Sequence, residues 1–310
     1  MRIVVLGASG FLGRAIVARA RAAGHEVIAP RHAELDLLTG EGAEAVFRRA
    51  REAGAIDVLV HAAAWFGGLG ISSAEPATIL HRNLQMALHA FELARCHGVG
   101  KIVPVNGSCV YPGERHGDLA EDVLWQGRLH ESVEAFATSK RVVLAAAAAY
   151  HRQHGLRSGH PVLANLYGPG DVFDLYRSHA VAALVRRFVE GGERVTLWGD
   201  GTAVRDFLYV EDGAEAVVRI LEREHDLEPV NVGTGVGTSI RTLAGRIAHH
   251  TGFRGEIAWD PGRPGGVPRK VLDPTRLRKV LGWSPVWSLD DGLRETVRWY
   301  RASRPRAPRP

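Results

Sequence analysis

Only two cysteines, Cys96 and Cys109, occur among the 310 residues. That excludes a disulfide-stapled scaffold and a cysteine-rich metal centre. The histidines are scattered, and "HHTG" at 249–252 has no third ligand at a useful spacing, so no metal is expected. No apolar run approaches the ~20 residues that cross a bilayer. The chain enters directly on a strand-like run, "RIVVLGASG", with no cleavage-type segment after a basic start, which points to a cytoplasmic protein without membrane partners. A surface of one charge is also missing. The formal charge is +5, but Arg301, Arg304, Arg306 and Arg309 sit in the Pro/Arg-rich tail "RASRPRAPRP". That tail, 301–310, is expected to be disordered. With no basic stripe or binding motif in the body, nucleic acid is not an expected partner.

What is present fits a globular enzyme. Hydrophobic residues make up 45% and charged residues 24%, and the length suffices for one large α/β unit or two packed lobes. Strand-like and helix-like segments alternate through the first half. "RIVVLG" (2–7) precedes the helical "GRAIVARARAAG" (13–24), which ends at Gly24 as a helix C-terminal cap does. "HEVIAP", a helix near 41–53, "DVLVHAAA" at 57–64, a helix near 76–97 and "KIVPVNGS" at 101–108 follow. A helix over 132–154 then leads to "PVLANLYG" at 161–168. This spacing predicts a Rossmann-type doubly wound parallel sheet with right-handed crossovers. Beyond 168 the pattern loosens, and "RVTLWGDGTAVRDFLYVED" reads as a short hairpin followed by a strand. The predicted division is a nucleotide-binding domain over 1–165 with about 207–232 returning to it. A smaller C-terminal substrate-binding lobe would comprise 166–206 and 233–300.

"GASGFLG" places Gly7, Gly10 and Gly13 between the first strand and the first helix. Glycine permits a tight turn and close backbone approach there, and the helix N-terminus offers free N–H groups to a pyrophosphate. Such a run is weak evidence by itself and strong in this position. The second strand ends "VIAPRH" without the acidic residue that usually takes the ribose hydroxyl of NAD. Arg31 and Ser9 stand there instead, and Arg31 could pair with a 2′-phosphate. NADP(H) is therefore the expected cofactor, with NAD(H) the weaker choice.

The glycine loop, "HAAAWFGGLG", "GSCVYP", "FATSK", "NLYGPGDVF", "LWGDGTAVRDFLYVED", "VNVGTG" and "PRKVLD" occur in that order. Together they resemble an extended short-chain dehydrogenase/reductase of the NAD-dependent epimerase/dehydratase family. "GSCVYP", the pair Ser178–His179 and "WGDGT" are similar to the GDP-L-fucose synthase branch, whose members are GDP-4-keto-6-deoxymannose 3,5-epimerase/4-reductases. The likeness runs from about residue 2 to 300. It implies that Cys109 is the base and His179 the acid exchanging protons at C3 and C5 of the sugar. It implies that Lys140 holds the nicotinamide ribose, and that Asn165 and Leu166 lie near the nicotinamide. Phe11, Leu12, Asp36, Leu37, Ala62, Ala63 and Ala64 join Gly7, Ser9, Gly10, Gly13 and Arg31 as expected cofactor contacts. Arg187, Trp198, Arg205 and Lys270 are expected on the nucleotide-diphosphate side of the substrate, with Asn165 and His179 also facing it. A homodimer built on the long helices is implied too.

The chemistry has its own logic. Hydrogens beside a ketone are removable because the charge spreads onto the carbonyl oxygen, and inversion needs groups on both faces of the ring. A thiol near cations and an imidazole suit that task near neutral pH. Cys109 follows a strand at the carboxyl edge of the sheet, where ligands sit in such folds. Cys96, inside an amphipathic helix, reads as core. The sequence departs from the family at two places. The tyrosine expected four residues before Lys140 is Phe136, and the serine expected four before Tyr111 is Gly107. Both hydroxyl donors to the C4 oxygen are absent, and losing one such donor typically slows a reaction ~10²–10³-fold. The expected activity is therefore C3 and/or C5 epimerisation of a GDP-linked keto-deoxy sugar with C4 reduction weak or absent. A bifunctional epimerase/reductase with a replacement acid, Ser108 being the nearest candidate, and a non-catalytic nucleotide-sugar binder are the alternatives.

Overall fold

A computed structural model of the chain describes residues 1–115, 117–175, 177–224, 228–263 and 266–303. The first half runs β1 (Arg2–Leu6), α1 (Phe11–Ala22), β2 (Glu26–Ile28), α2 (Ala43–Glu52), β3 (Val58–His61), α3 (Leu69–Ala74), α4 (Pro76–Cys96), β4 (Lys101–Pro104) and β5 (Asn106–Gly107). After the long helix α5 (Glu134–His154) come β6 (Arg157–Ser158), β7 (Pro161–Leu163) and β8 (Asn165–Tyr167). The remainder is α6 (Ala180–Glu190), β9 (Arg194–Trp198), β10 (Val204–Tyr209), α7 (Val210–Leu221), β11 (Val230–Val232), β12 (Gly237–Ser239), α8 (Ile240–Thr251), β13 (Glu256–Asp260), β14 (Arg269–Lys270), α9 (Thr275–Leu281) and α10 (Leu289–Ser303).

The parallel sheet has the order β2-β1-β3-β4-β6 and continues through β5-β7-β11, since β4/β5 and β6/β7 are successive pieces of two strands. Alternation along β1 explains why it is covered on both sides. Ile3 and Val5 face a core shared with Ile16 and Ala20 of α1 and Val217 of α7. Val4 and Leu6 face Phe47 of α2, Ala90 and Phe91 of α4, and Val143 of α5. The chain leaves β1 for β2 on one flank and returns through β3 on the other. The end of β1 is thus the switch point where such sheets bind ligands.

The second half departs from the sequence expectation in one pairing. No hairpin joins β9 to β10. β9 pairs in parallel with β13, while β10 pairs with β8 and β14 in parallel and with β12 antiparallel. The cause lies in "WGDG": a side chain at Gly201, which has φ +79°, would sit 2.6 Å from the Trp259 ring of β13. The connection wraps that ring rather than folding β9 back on β10. Arg301–Ser303, expected in the disordered tail, instead complete α10; the rest of that tail, 304–310, lies outside the described residues. Cys96 is exposed rather than core. The buried stripe of α4 runs through Ile79, Asn83, Ala87, Ala90, Phe91 and Ala94, and position 96 falls on the opposite side of the helix.

Candidate active site

The glycine loop is fixed by contact. Gly7 has φ +80°, and a side chain there would lie 2.5 Å from the Ala63 backbone nitrogen; one at Gly13 would lie 2.0 Å from the Gly7 carbonyl oxygen. Only bare backbone fits where β1, α1 and the Ala62–Ala64 segment meet. Gly10 opens α1 without any side-chain cap, so the first N–H groups of the helix remain open to an anion. Arg14 braces the cradle by donating to the Ser9 carbonyl at 2.6 Å and the Gly170 carbonyl at 2.7 Å. Phe11 is partly buried, and Leu12 packs against the core under the loop. The cradle fits a dinucleotide pyrophosphate.

The ribose end is less open. Arg31 is 81% exposed, and Glu34 accepts from its backbone N–H at 2.9 Å and from Nε at 3.5 Å. A 2′-phosphate must draw the guanidinium away from that carboxylate. Asp36 accepts from the Leu38 N–H at 2.8 Å. The Leu37 side chain is buried, and its carbonyl lies 2.6 Å from His89 Nδ1. Leu37 is therefore a core residue.

At the carboxyl edge of the sheet a cavity of about 550 Å³ gathers Ser108, Cys109, Asn165, Leu166, His179, Arg187, Trp198, Arg205 and Lys270 on its wall. Elements from both halves of the chain meet there. β5 ends in a short turn, Ser108–Val110, that carries Cys109. Asn165 and Leu166 sit on β8, and the Asn165 amide is held by donating to the Asp206 carbonyl at 2.8 Å. His179 immediately precedes α6 with extended backbone. Arg187 donates to the Thr196 carbonyl at 2.8 Å, and Arg205 to the Val204 carbonyl at 2.8 Å. Trp198 stands half exposed at the rim, with the Arg263 guanidinium 5.4 Å from its ring. Lys140 is off the wall and behind it. It is buried on α5, and its Nζ donates to the Val105 carbonyl at 2.9 Å.

Burial sets the protonation states. It pushes the Cys109 thiol up, opposed by Lys270 and Lys140, and holds the His179 imidazole down. Burial brings Lys140 to about 8, with Cys109 pulling it back up, and Arg205 to about 10. Lys270 is lowered mainly by burial, with Cys109 again opposing. The resting pair is a neutral thiol and a neutral imidazole. A thiolate base and an imidazolium acid arise from it by moving one proton from Sγ to the ring, with no change in net charge. Two buried ammonium groups favour the thiolate half of that pair.

Phe136 occupies the usual tyrosine position and is fixed by other rings. It stacks on Phe66 at 4.0 Å between centroids and 17° between planes. Phe66 in turn stacks on His179 at 5.6 Å and 29°. Lys140 Nζ lies 5.5 Å from the Phe136 ring centre. Phe136 lines a second, adjoining cavity of about 360 Å³ together with Thr138. Phe66 lines the cavity that holds Cys109 and His179. Phe66, Ser132 and Ser178 are wall residues that sequence reasoning did not assign. Phe66 lies within "HAAAWFGGLG", and Ser178 is the neighbour of His179, so the signals were present without a spacing rule to interpret them. No group of three or more His, Cys, Asp or Glu able to hold a metal occurs among the described residues, and no helix among them is long and apolar enough to cross a membrane.

Residues 3–233 match the family described as "Epimerase: NAD dependent epimerase/dehydratase family". The chain is 37% identical over 304 residues to GDP-L-fucose synthase 1 of Arabidopsis thaliana, covering 96% of this chain and 93% of that protein. It is 34% identical over 313 residues to the GDP-L-fucose synthase of Escherichia coli strain K12, covering 96% of each. Among solved structures, a GDP-L-fucose synthetase from Naegleria fowleri bound to NADP superposes with TM-score 0.86 at 20% identity, covering 97% of this chain and 94% of that one.

Proposed function

Since the chain belongs to the NAD-dependent epimerase/dehydratase family, an enzyme family acting on nucleotide sugars, we propose that it is a GDP-4-keto-6-deoxyhexose epimerase acting at C3 and/or C5, with little C4 reduction. The observation that carries this reading is the composition of one cavity. Cys109 and His179 are both on its wall, while Phe136, which lines the adjoining cavity, and Gly107 are absent from that wall and stand in the sequence where two hydroxyl donors are expected. The relatives named above supply the substrate class.

The residues of the chain divide the work. Arg187, Arg205 and Lys270 offer cationic groups to a diphosphate, and Trp198 offers a ring face at the mouth. Asn165 and the backbone of β8 orient the sugar. Cys109, as thiolate, takes a proton from the carbon beside the ketone, and imidazolium His179 returns one from the other face. The negative charge passes to the ketone oxygen in between. Lys140 keeps a positive charge behind the cavity and, with Lys270, favours the thiolate. NADP(H) would lie on the Gly7–Gly13 cradle with Arg31 at its 2′-phosphate, and when bound it supplies hydride chemistry at C4.

Incubation with GDP-4-keto-6-deoxymannose in D₂O, with and without NADPH, tests the reading. Deuterium is followed at C3 and C5, and NADPH by absorbance. Exchange without appreciable NADPH oxidation is expected. Rapid oxidation would overturn the epimerase-only assignment in favour of a bifunctional enzyme. Silence in both channels would leave a binding protein.

A further inference from the structure

Epimerisation through a ketone needs a donor to its oxygen, and the two hydroxyls usually placed there are gone. The cavity wall shows what stands in their place. Ser139 is one turn from Phe136 but donates its hydroxyl to the Phe136 carbonyl at 2.7 Å. Thr138 lines the adjoining cavity. Three serines line the catalytic cavity itself: Ser108, Ser132 and Ser178. Among the described residues, Ser132 is the one of these whose hydroxyl is paired with a titratable ring, since its Oγ lies 2.8 Å from His130 Nδ1.

We propose that Ser132, backed by His130, is the group that hydrogen-bonds and protonates the ketone oxygen of the bound sugar. This rests on the epimerase reading above and names the donor that reading lacks. The pair is held in place. His130 precedes the single turn Glu131–Val133 that leads into α5, and its ring nitrogen caps that turn by accepting from the Ser132 backbone N–H at 3.3 Å. Gly113 presses on the other side: a side chain there would lie 2.7 Å from His130 Cβ. Ser132 also sits four residues before Phe136, on the segment that feeds the helix carrying Lys140.

The proton inventory closes. In the neutral ring Nδ1 bears no hydrogen, and the Ser132 hydroxyl points back to it. When a proton from solvent is added at Nδ1, Nε2 already carrying its own, the Nδ1–H donates to Oγ. The serine hydrogen is then free to turn into the cavity. As charge develops on the ketone oxygen, the Ser132 O–H bond breaks and a new O–H bond forms on the substrate. The Nδ1–H proton moves to Oγ and restores the serine. The imidazolium ends neutral and the substrate gains one proton. When the enol collapses, the sequence runs in reverse.

Deuterium wash-in at C3 and C5 of GDP-4-keto-6-deoxymannose, without NADPH, tests the pair in four proteins: wild type, Ser132→Ala, Ser132→Thr and His130→Asn. Asparagine is a strong helix N-cap, so it keeps the turn while removing the titratable ring. Ser132→Ala is expected to slow wash-in ~10²–10³-fold, with the melting temperature unchanged. Ser132→Thr keeps the hydroxyl and retains most of the rate. His130→Asn slows it ~10²-fold, the lower end of what a positioned acid or base contributes. Wild-type wash-in that is unaffected by Ser132→Ala overturns this inference alone. A wild-type protein that shows no wash-in overturns the epimerase reading and takes this inference with it. Should Ser132→Ala not fold, equal rates in wild type and His130→Asn refute the relay.

Discussion

Replacing Phe136 by tyrosine adds one oxygen to a ring whose packing is already set. The ring is stacked face to face on Phe66 at 4.0 Å, so the substitution keeps the stack and with it the support under His179. The new phenol lies beside Lys140, whose Nζ is 5.5 Å from the ring centre. A unit charge at that range stabilises a phenolate by ~3 kcal/mol at an effective dielectric near 20. That attraction lowers the phenol's pKa against the rise that burial of the position causes. The hydroxyl then becomes a competent acid for the C4 alkoxide left by hydride transfer. One preorganised donor typically contributes ~10²–10³-fold. Gly107 still lacks the second, so the gain stops there. In Phe136→Tyr, NADPH oxidation in the presence of the 4-keto sugar is expected to rise by that factor, while deuterium wash-in stays close to wild type. Phe136→Leu serves as the converse. It removes the Phe136–Phe66 pair, an aromatic pair being worth ~0.5–1.5 kcal/mol, and wash-in should fall while oxidation stays low. Unchanged oxidation in a Phe136→Tyr protein that folds, binds NADPH and exchanges deuterium would refute the claim that position 136 limits reduction. Unchanged wash-in in Phe136→Leu would refute the role of the stack.

Cys109→Ser keeps the shape of the turn but replaces a thiol by a far weaker acid, so wash-in should fall below detection; persistent exchange would move the base elsewhere. Gly13→Ala places a methyl 2.0 Å from the Gly7 carbonyl oxygen and should lower the melting temperature and abolish cofactor binding, both read by thermal shift with NADPH. Arg31→Ala is expected to weaken NADPH but not NADH in titration, and equal losses would show that the 2′-phosphate is held by another group. Asp171 is buried, with one carboxylate oxygen accepting from the Val172 N–H at 2.7 Å and the other unpartnered, and burial raises its pKa to about 7. The folded state then holds a proton between about pH 4 and 7 that the unfolded chain has released, so this group's contribution to stability falls as pH rises through that window. Asp171→Asn should flatten the decline in melting temperature over it, and an identical pH profile would show that the carboxylate is solvated.

The parts of this molecule that were legible in the sequence are those encoded locally. The glycine loop was readable because a strand, three spaced glycines and a helix fall within about twenty residues, and the close approach of Gly10 and Gly13 to Gly7 follows from that order. Cys109, Asn165 and His179 were readable because each stands at the end of a strand or the start of a helix, where the parallel topology delivers residues to one edge. The β9–β13 pairing was not readable, since it joins Arg194–Trp198 to Glu256–Asp260 and the intervening "WGDGT" resembles a hairpin turn. What decides it is the Trp259 ring lying against Gly201, a contact with no local signature. The same reason hid the Phe136–Phe66–His179 stack. Its three rings come from three separate segments, and each alone reads as ordinary packing. Phe136 therefore looked like a deletion of a proton donor when seen in "FATSK", whereas in the folded chain it is one end of an aromatic wall that reaches the imidazole. On the epimerase reading proposed above, a position that loses its hydroxyl while keeping its ring ceases to serve reduction and still serves proton exchange.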